Sequence, residues 1–264
     1  MPIPERLKPT FVRGTEQTVE RMDPMEDARQ RLIVALDVPT AEPAFDLVDR
    51  LESRCLWFKV GLELFVAGGP ALIHALVKRG GSIFLDLKFN DIPNTVAGAI
   101  RSGAALGVRM MTVHANGGPA MLAAAKSALE GIADPPQLLA VTVLTSMDQD
   151  QVTAVGLERS PAAQVELLAK VGLGAGINGF VCSPQEVGTL RALTGPESVL
   201  VIPGIRSAGG DAGDQKRVAT PAEALRQGAN YLVVGRPITQ APEPAQAAEA
   251  VLREMAAALQ APKS

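Results

Sequence analysis

Two carboxylates and an ammonium group directly follow an apolar segment of the chain. Asp86, Lys88 and Asp91 form the pattern Asp-x-Lys-x-x-Asp after the run Ser-Ile-Phe-Leu, which is typical of a buried strand. Because residues i and i+2 of a strand point to the same face, we expect the side chains of Asp86 and Lys88 to lie together. Buried charges are costly unless they are paired, so this cluster favours a site of proton transfer or charge stabilisation over plain scaffold.

The rest of the chain predicts alternating strands and helices. Short apolar runs rich in β-forming residues recur, and the longer stretches between them carry apolar residues at helical spacing. Eight such units in about 250 residues have the size of a (β/α)₈ TIM barrel, which we expect to be a single catalytic domain of residues 30–260. An open, doubly wound sheet is the alternative α/β fold. The predicted strands are residues 32–36, 56–60, 83–87, 110–114, 138–144, 179–182, 199–202 and 231–234.

Residues 1–29 lie before the first predicted strand and do not fit the strand–helix repeat. They are polar and contain four prolines. The pair Asp23-Pro24 favours the start of a short helix that would run to Arg29. We therefore expect an N-terminal extension with at most a short helix under the barrel.

Charged side chains stand at the ends of the first three predicted strands. Asp37 follows the first strand, Lys59 lies near the end of the second, and Asp86 and Lys88 close the third. Active sites of barrel enzymes lie at the carboxyl ends of the strands, so these four groups of alternating sign are predicted to meet at the barrel mouth. A structural network of ion pairs is the alternative interpretation.

Glycine and arginine stand at the ends of the last two predicted strands. Arg206 follows the seventh strand within a glycine-rich segment that extends to Gln215, and Gly235 and Arg236 follow the eighth. Barrels often hold phosphate groups at these strand ends, and a guanidinium fork beside a backbone N–H suits phosphate oxygens. We therefore predict a phosphomonoester site, with residues 204–217 as a mobile loop that closes over the ligand; a plain surface loop is the alternative.

The composition argues against several classes of function. The net charge is −3 and aromatic residues make up 3% of the chain, without the basic clusters and stacking rings of nucleic-acid-binding proteins. No apolar run approaches the roughly 20 residues of a membrane span, and the N-terminus lacks a secretory signal, so we expect a cytoplasmic protein. Cys55 and Cys182 lie in apolar runs and are interpreted as buried, reduced thiols rather than a disulfide or metal pair.

Neither zinc nor magnesium is expected. The chain has two histidines, and both cysteines lie in apolar runs, which is a poor ligand set for zinc. Magnesium prefers carboxylates that are free to coordinate, and here lysines already stand among the carboxylates. The residues therefore favour chemistry without a metal or other cofactor.

Six segments, in order from about residue 31 to 240, share their pattern with one enzyme family. They are Asp37 in Leu-Asp-Val, Lys59 in Phe-Lys-Val-Gly, residues 86–91 with the following Ile92-Pro93-Asn94-Thr95-Val96, Pro203-Gly204-Ile205-Arg206, Asp214-Gln215-Lys216-Arg217 and Gly235-Arg236-Pro237-Ile238. Together they resemble the orotidine 5′-phosphate decarboxylases. The resemblance implies a homodimeric (β/α)₈ barrel that converts orotidine 5′-phosphate to UMP without a cofactor, the last step of de novo pyrimidine nucleotide synthesis.

The resemblance also implies a role for each charged residue of the cluster. Lys88 would donate the proton to C6 of the pyrimidine, and Asp86 would lie beside the departing carboxylate. Asp91 and Thr95 would reach into the site of the partner subunit, where Asp91 joins the charged array and Thr95 contacts the ribose. Lys59 would join the array as well.

The remaining roles concern substrate binding. Asp37 and Lys59 would bind ribose hydroxyls, and Thr145 and Ser146 would lie beside the base. The phosphate would be held by Arg206, Gln215, Gly235 and Arg236.

Two other functions remain open from the sequence. The Asp-x-Lys-x-x-Asp pattern alone is shared with a magnesium-dependent sugar-phosphate decarboxylase or aldolase of the same barrel group, although the lysines among the carboxylates speak against metal binding. A barrel that binds a phosphate ligand without catalysis is the third possibility. The intact Lys88 speaks against it, because a binding protein needs no proton donor among buried anions.

Overall fold

The computed structural model describes residues 22–206 and 217–261. Within them, eight parallel strands form a closed barrel in which each strand pairs with the next and the last pairs with the first. The predicted (β/α)₈ fold is therefore confirmed, and the open-sheet alternative is wrong. The strands are β1 (Leu32–Ala35), β2 (Trp57–Val60), β3 (Ser82–Phe89), β4 (Met110–His114), β5 (Gln137–Val141), β6 (Gly179–Val181), β7 (Val199–Ile202) and β8 (Tyr231–Val234).

Helices connect the strands and cover the outside of the barrel. Several of them begin with proline in the first turn, where the missing N–H costs no hydrogen bond. Ser160 and Thr220 cap two of these helices by accepting hydrogen bonds from the backbone. The helices are α1 (Pro24–Arg31), α2 (Ala41–Leu51), α3 (Leu62–Lys78), α4 (Pro93–Ala104), α5 (Gly118–Ser127), α6 (Gln149–Ala154), α7 (Pro161–Gly174), α8 (Val187–Thr194), α9 (Pro221–Arg226), α10 (Arg236–Thr239) and α11 (Pro244–Gln260).

Two strands differ from their predicted extent in ways that affect the barrel mouth. β3 continues to Phe89, so Lys88 lies within the strand rather than after it. β5 ends at Val141, whereas the apolar run predicted a strand to residue 144. Val143 and Leu144 follow the strand and line the cavity at the mouth. An apolar sequence alone does not distinguish a strand from a cavity wall.

Inward-facing side chains fill the barrel below its mouth. They form one apolar cluster, in which the rings of Trp57 and Tyr231 meet edge to face with centroids 5.4 Å apart. Because strand residues alternate in direction, the inward positions above Ala35, Trp57 and Phe84 belong to the charged residues of the predicted site. The cluster consists of Ile33, Ala35, Trp57, Phe84, Met110, Leu139, Val201, Tyr231 and Val233.

Helix α1 precedes the barrel and leads directly into β1. The carboxylate of Asp23 caps it by accepting hydrogen bonds from the backbone N–H groups of Met25 (2.9 Å) and Glu26 (3.2 Å). The helix ends at Arg31 and packs against α11, with Ala28 fully buried. Residues 1–21 of the expected extension lie outside the described residues.

Candidate active site

Asp86 lies at the centre of a chain of alternating charges at the barrel mouth. One of its oxygens, Oδ2, accepts a hydrogen bond from Lys88 Nζ at 2.9 Å and lies 3.8 Å from Lys59 Nζ. Lys59 Nζ in turn donates to Asp37 Oδ1 at 3.0 Å. The structure therefore brings together the four charged groups that the strand ends predicted.

These side chains become more exposed from the centre of the array outwards. The side chains of Asp86 and Lys59 are 12% and 13% exposed, that of Lys88 is 30% exposed and that of Asp37 is 58% exposed. The short residue Gly61 leaves room for the Lys59 amine, since a Cβ at that position would lie 3.1 Å from Lys59 Nζ. Asp86 and Lys59 are thus held away from bulk water, while Lys88 opens into the cavity.

An irregularity in β3 gives Asp86 and Lys88 their positions. Leu85 pairs with Met111 and Phe89 with Val113, so a step of four residues on β3 faces a step of two on β4. Bulges of this kind change the direction in which the side chains within them point. Lys88 adopts φ of 51°, a left-handed conformation that is rare outside glycine. The pair therefore meets through a bulge, and not through the plain strand alternation from which we predicted its proximity.

Thr112 on β4 holds this bulge in place, and the sequence did not point to it. Its hydroxyl donates to Asp86 Oδ1 at 3.0 Å and accepts from the backbone N–H of Lys88 at 2.8 Å. Thr112 is fully buried. Threonine is common in strands, so its presence alone does not mark a site. The sequence shows only that Thr112 is two residues after Met110 and therefore points into the barrel on the strand next to β3.

The array forms one wall of a cavity of about 460 Å³ at the mouth of the barrel. Apolar side chains from the inner strand ends form the floor, among them Phe84, Val141 and Val233. Polar groups from the ends of six strands converge on the space, an arrangement that is typical of small-molecule sites. The predicted site residues that line it are Asp37, Lys59, Asp86, Lys88, Thr145, Ser146, Arg206, Gly235 and Arg236.

Three predicted site residues are not part of this cavity wall. Asp91 and Thr95 lie on the exposed stretch that follows β3, where Asp91 Oδ1 accepts a hydrogen bond from the backbone N–H of Ile92 at 2.6 Å. Gln215, with most of the loop predicted to be mobile, lies outside the described residues. Within one chain, the structure does not bring Asp91 and Thr95 to Lys88.

The sequence and the fold match known proteins over most of the chain. Residues 30–251 match the model of the orotidine 5′-phosphate decarboxylase / HUMPS family. The chain belongs to this family. The orotidine 5′-phosphate decarboxylase of Moorella thermoacetica is 52% identical over 234 residues, which are 86% of this chain and 93% of the relative. That of Alkalilimnicola ehrlichii is 52% identical over 87% of this chain and 98% of the relative.

A solved structure supports the same assignment. The crystal structure of orotidine 5′-phosphate decarboxylase from Lactobacillus acidophilus has a TM-score of 0.76 and 39% sequence identity, and the match covers 85% of this chain and 98% of that one. The family resemblance on which the sequence-based expectations rested is therefore confirmed.

Three further ionisable residues with shifted pKa values do not line the cavity, namely His114, Cys55 and Cys182. Burial, and secondarily the positive charge of Lys88, lowers the pKa of His114 at the end of β4, so this side chain is neutral near pH 7. Its Nδ1 atom is buried without a hydrogen-bond partner among the described residues. Burial raises the pKa of Cys55 to about 12 and raises that of Cys182 as well, so neither thiol is reactive near neutral pH.

Residues 22–206 and 217–261 contain neither a cluster of metal-binding side chains nor a membrane-spanning helix. Their His, Cys, Asp and Glu side chains form no group of three or more that is arranged to bind a metal ion. None of the helices in these ranges is long and apolar enough to span a bilayer.

We expect Thr112→Val to destabilise the protein by about 1–3 kcal/mol, because it leaves Asp86 Oδ1 and the Lys88 N–H without their partner in a buried place. Denaturant unfolding measures this loss. Thr142→Val is the matched control, because Thr142 is equally buried and its hydroxyl donates to the Val181 carbonyl. In that variant the Val181 carbonyl still accepts a hydrogen bond from the backbone N–H of residue 142. Equal losses in the two variants would contradict the role given to Thr112.

Proposed function

We propose that the protein decarboxylates orotidine 5′-phosphate to UMP, the last step of de novo pyrimidine nucleotide synthesis. The observation that carries the proposal is the Lys88 ammonium, fixed by Asp86 at one side of a cavity whose wall also includes Arg206 and Arg236. The substrate has matching features, with a carboxylate on the pyrimidine and a phosphate on the ribose. The named relatives at about 50% identity support the same reaction.

Loss of carbon dioxide leaves an electron pair on C6 that the pyrimidine ring delocalises poorly. In our proposal the bond between C6 and the carboxylate breaks, and the positive charge of Lys88 stabilises the developing carbanion. An ammonium at 4 Å from a unit negative charge contributes about 4 kcal/mol at an effective dielectric constant of 20. Lys88 Nζ then gives a proton to C6, and the neutral amine regains a proton from solvent.

Asp86 has two tasks in this mechanism. It fixes the amine of Lys88, and its own orientation is set by Thr112 and Lys59 on the neighbouring strands. It also places a negative charge beside the departing carboxylate of the substrate. Pre-oriented charges cost no rearrangement at the moment of reaction, which is the main source of electrostatic catalysis.

The other cavity residues are assigned to the parts of the nucleotide. Asp37 and Lys59 bind ribose hydroxyls, and Thr145 and Ser146 contact the base. Arg206, Gln215, Gly235 and Arg236 hold the phosphate. The ribose and phosphate ends are adjacent, since a Cβ at Gly235 would lie 3.5 Å from Asp37 Oδ2.

The same arrangement supports chemistry without a cofactor. The Asp37 and Asp86 carboxylates already accept hydrogen bonds from ammonium groups, so their charges are compensated by the protein. A divalent cation would have to compete with Lys59 and Lys88 for these oxygens. We therefore propose that no metal ion takes part.

We also propose that the enzyme is a homodimer, in which Asp91 and Thr95 complete the site of the partner subunit. Large apolar side chains of the single chain lie exposed beside Asp91 and at the start of α3, with exposed fractions of 68% for Ile92, 56% for Leu62 and 83% for Val66. Exposed apolar surface of this kind marks interfaces. A second cavity of about 120 Å³ leads from Lys59, Asp86 and Lys88 to the start of α3, and it offers an entry for the partner's carboxylate.

The domain layout and location follow from the same reasoning. We propose one catalytic barrel of residues 30–260 after an extension of residues 1–29, which agrees with a family match that begins at residue 30. Two buried free thiols suit a reducing compartment, so we place the enzyme in the cytoplasm.

The deciding experiment is a decarboxylation assay on purified protein. After treatment with a chelator, the protein is mixed with orotidine 5′-phosphate, and the loss of the orotate absorbance band is followed. Turnover supports the proposal. Turnover that appears only after magnesium is restored would favour the metal-dependent alternative, and binding of the nucleotide without turnover would favour a binding protein.

Replacement of the proposed proton donor tests the mechanism. We expect Lys88→Ala to lower kcat by more than ~10³-fold, because it removes both the stabilising charge and the proton. Far-ultraviolet circular dichroism verifies that the variant is folded, and Lys170→Ala on the exposed surface is the control. A Lys88→Ala variant with near-normal turnover would show that the proton comes from another group.

The phosphate assignment predicts a difference between two substrates. We expect Arg236→Ala to lower kcat/KM for orotidine 5′-phosphate by about 10–100-fold, mainly through KM, because charge-assisted hydrogen bonds contribute about 1.5–3 kcal/mol. The phosphate-free nucleoside orotidine should be affected little. Arg226→Ala at the exposed end of α9 should change neither value, and equal effects of Arg236→Ala on both substrates would rule out a phosphate contact.

Mixing two inactive variants tests the shared site. A dimer of Lys88→Ala with Asp91→Asn contains one site with both native residues, so mixing should restore about a quarter of the parent activity, because half of the dimers are mixed and each has one intact site. A mixture of Lys88→Ala with Asp86→Asn is the control, since those two residues come from the same chain and no intact site forms. Equal activity in both mixtures would contradict a site shared between subunits.

A further inference from the structure

A buried ion pair lies beside the substrate cavity and has no role in the mechanism so far. Arg217, where the described chain resumes before α9, forms a salt bridge through Nη1 with Glu186, which lies in the short 3₁₀ helix Pro184–Glu186 after β6. The two side chains are 9% and 7% exposed. Charges buried this deeply need several partners, and the partners show what the pair does.

The guanidinium joins the ends of two strands. While Nη1 contacts Glu186, Nη2 donates to the backbone carbonyl of Leu144 at 3.1 Å. Leu144 immediately precedes Thr145 and Ser146, the turn that faces the cavity and that we assign to the base. Glu186 is held from the other side by Ser183, whose backbone N–H donates to Oε2 at 3.1 Å and whose hydroxyl donates to the same oxygen.

The chain segment that carries Arg217 is also bonded to the phosphate side of the cavity. Two residues further on, the carbonyl of Ala219 accepts from the backbone N–H of Arg206 at 3.0 Å, and the Ala219 N–H donates to the Gly204 carbonyl at 3.4 Å. Ile205 and Ala219 form a parallel bridge. Arg217 therefore links the cavity wall that carries Thr145 and Ser146 to the wall that carries Arg206.

Stability alone does not account for this arrangement. Buried ion pairs are often no more stabilising than apolar residues of the same volume, because desolvation offsets the attraction. Moreover, Nε of Arg217 is buried without a hydrogen-bond partner among the described residues, which adds to the cost. The pair provides a fixed geometry instead, since the planar guanidinium of Arg217 holds Glu186 and the Leu144 carbonyl at a defined separation.

We infer that Arg217 is a positioning residue, which sets the turn carrying Thr145 and Ser146 relative to the strand end carrying Arg206. The inference rests on the proposed function, in which these walls hold the base and the phosphate of one nucleotide. A displacement of about 1 Å between groups that bind the two ends of one substrate can cost up to ~100-fold in kcat/KM.

Two substitutions at Arg217 separate its charge from its geometry. Arg217→Met removes both contacts, whereas Arg217→Lys retains a positive charge opposite Glu186 but has one amine in place of two separated nitrogens. Arg191→Met is the matched control. Arg191 is partly buried and donates to four backbone carbonyls, but at the opposite end of the barrel, where these partners are Gly195, Pro196, Ser198 and Gly228.

The readouts are kcat and KM for orotidine 5′-phosphate and the melting temperature. We expect Arg217→Met to lower kcat/KM by about 30-fold and Arg217→Lys by about tenfold, in both cases mainly through KM. Arg217→Lys should melt close to the parent because the ion pair with Glu186 persists. Arg191→Met should lower the melting temperature while kcat/KM stays within about threefold of the parent.

The possible outcomes separate this inference from the proposed function. An active parent enzyme whose kcat/KM is unchanged in the Arg217 variants, or reduced no more than in Arg191→Met, overturns the positioning role alone. A parent without turnover overturns the proposed function, and the inference with it. If Arg217→Met does not fold, Arg217→Lys and Glu186→Gln decide the question, with kcat/KM falling in both if the inference holds.

Discussion

One hydrogen-bonded ion pair, from Lys88 to Asp86, is the interaction on which the cavity depends. The two residues meet because β3 is bulged, and the bulge forces Lys88 into a left-handed backbone conformation. Such a conformation costs of order 1–3 kcal/mol and persists only where its surroundings fix it. Thr112 does so from the neighbouring strand, since one hydroxyl binds both the backbone of Lys88 and the carboxylate of Asp86. Backbone strain and side-chain direction are therefore stabilised by the same contact.

The barrel explains why these charges lie only at its mouth. Below them the interior is filled by apolar side chains such as Trp57, Phe84 and Tyr231, where an uncompensated charge would lose its hydration. At the mouth, exposure increases from Asp86 to Asp37. Asp86, which fixes the proposed proton donor, is the most buried member of the array, and electrostatic interactions are strongest where water is excluded. The exposed end is assigned to ribose hydroxyls, which need hydrogen bonds but no low dielectric.

The sequence predicted the barrel and the four-residue array because both follow from short-range rules. Strands buried on both faces are almost continuously apolar, and the carboxyl end of a barrel strand is where polar residues gather. Contacts between distant residues carried no such signal. Nothing local in a strand threonine shows that Thr112 will bind a carboxylate 26 residues earlier in the chain. The assignments of Asp91 and Thr95 came from family resemblance, because no rule within one chain predicts a contact across a subunit boundary.

The charges of the cavity also bear on the direction of the reaction. Four cationic side chains, Lys59, Lys88, Arg206 and Arg236, and two carboxylates line it, which leaves two positive charges. The proposed substrate carries one carboxylate and a phosphate with about two negative charges at neutral pH. An excess of negative charge therefore enters the cavity with the substrate, concentrated where its carboxylate meets Asp86. Loss of neutral carbon dioxide transfers that negative charge from the carboxylate to C6, beside the Lys88 ammonium. The proton from Lys88, which solvent then replaces, removes the charge, and the phosphate keeps the nucleotide bound meanwhile.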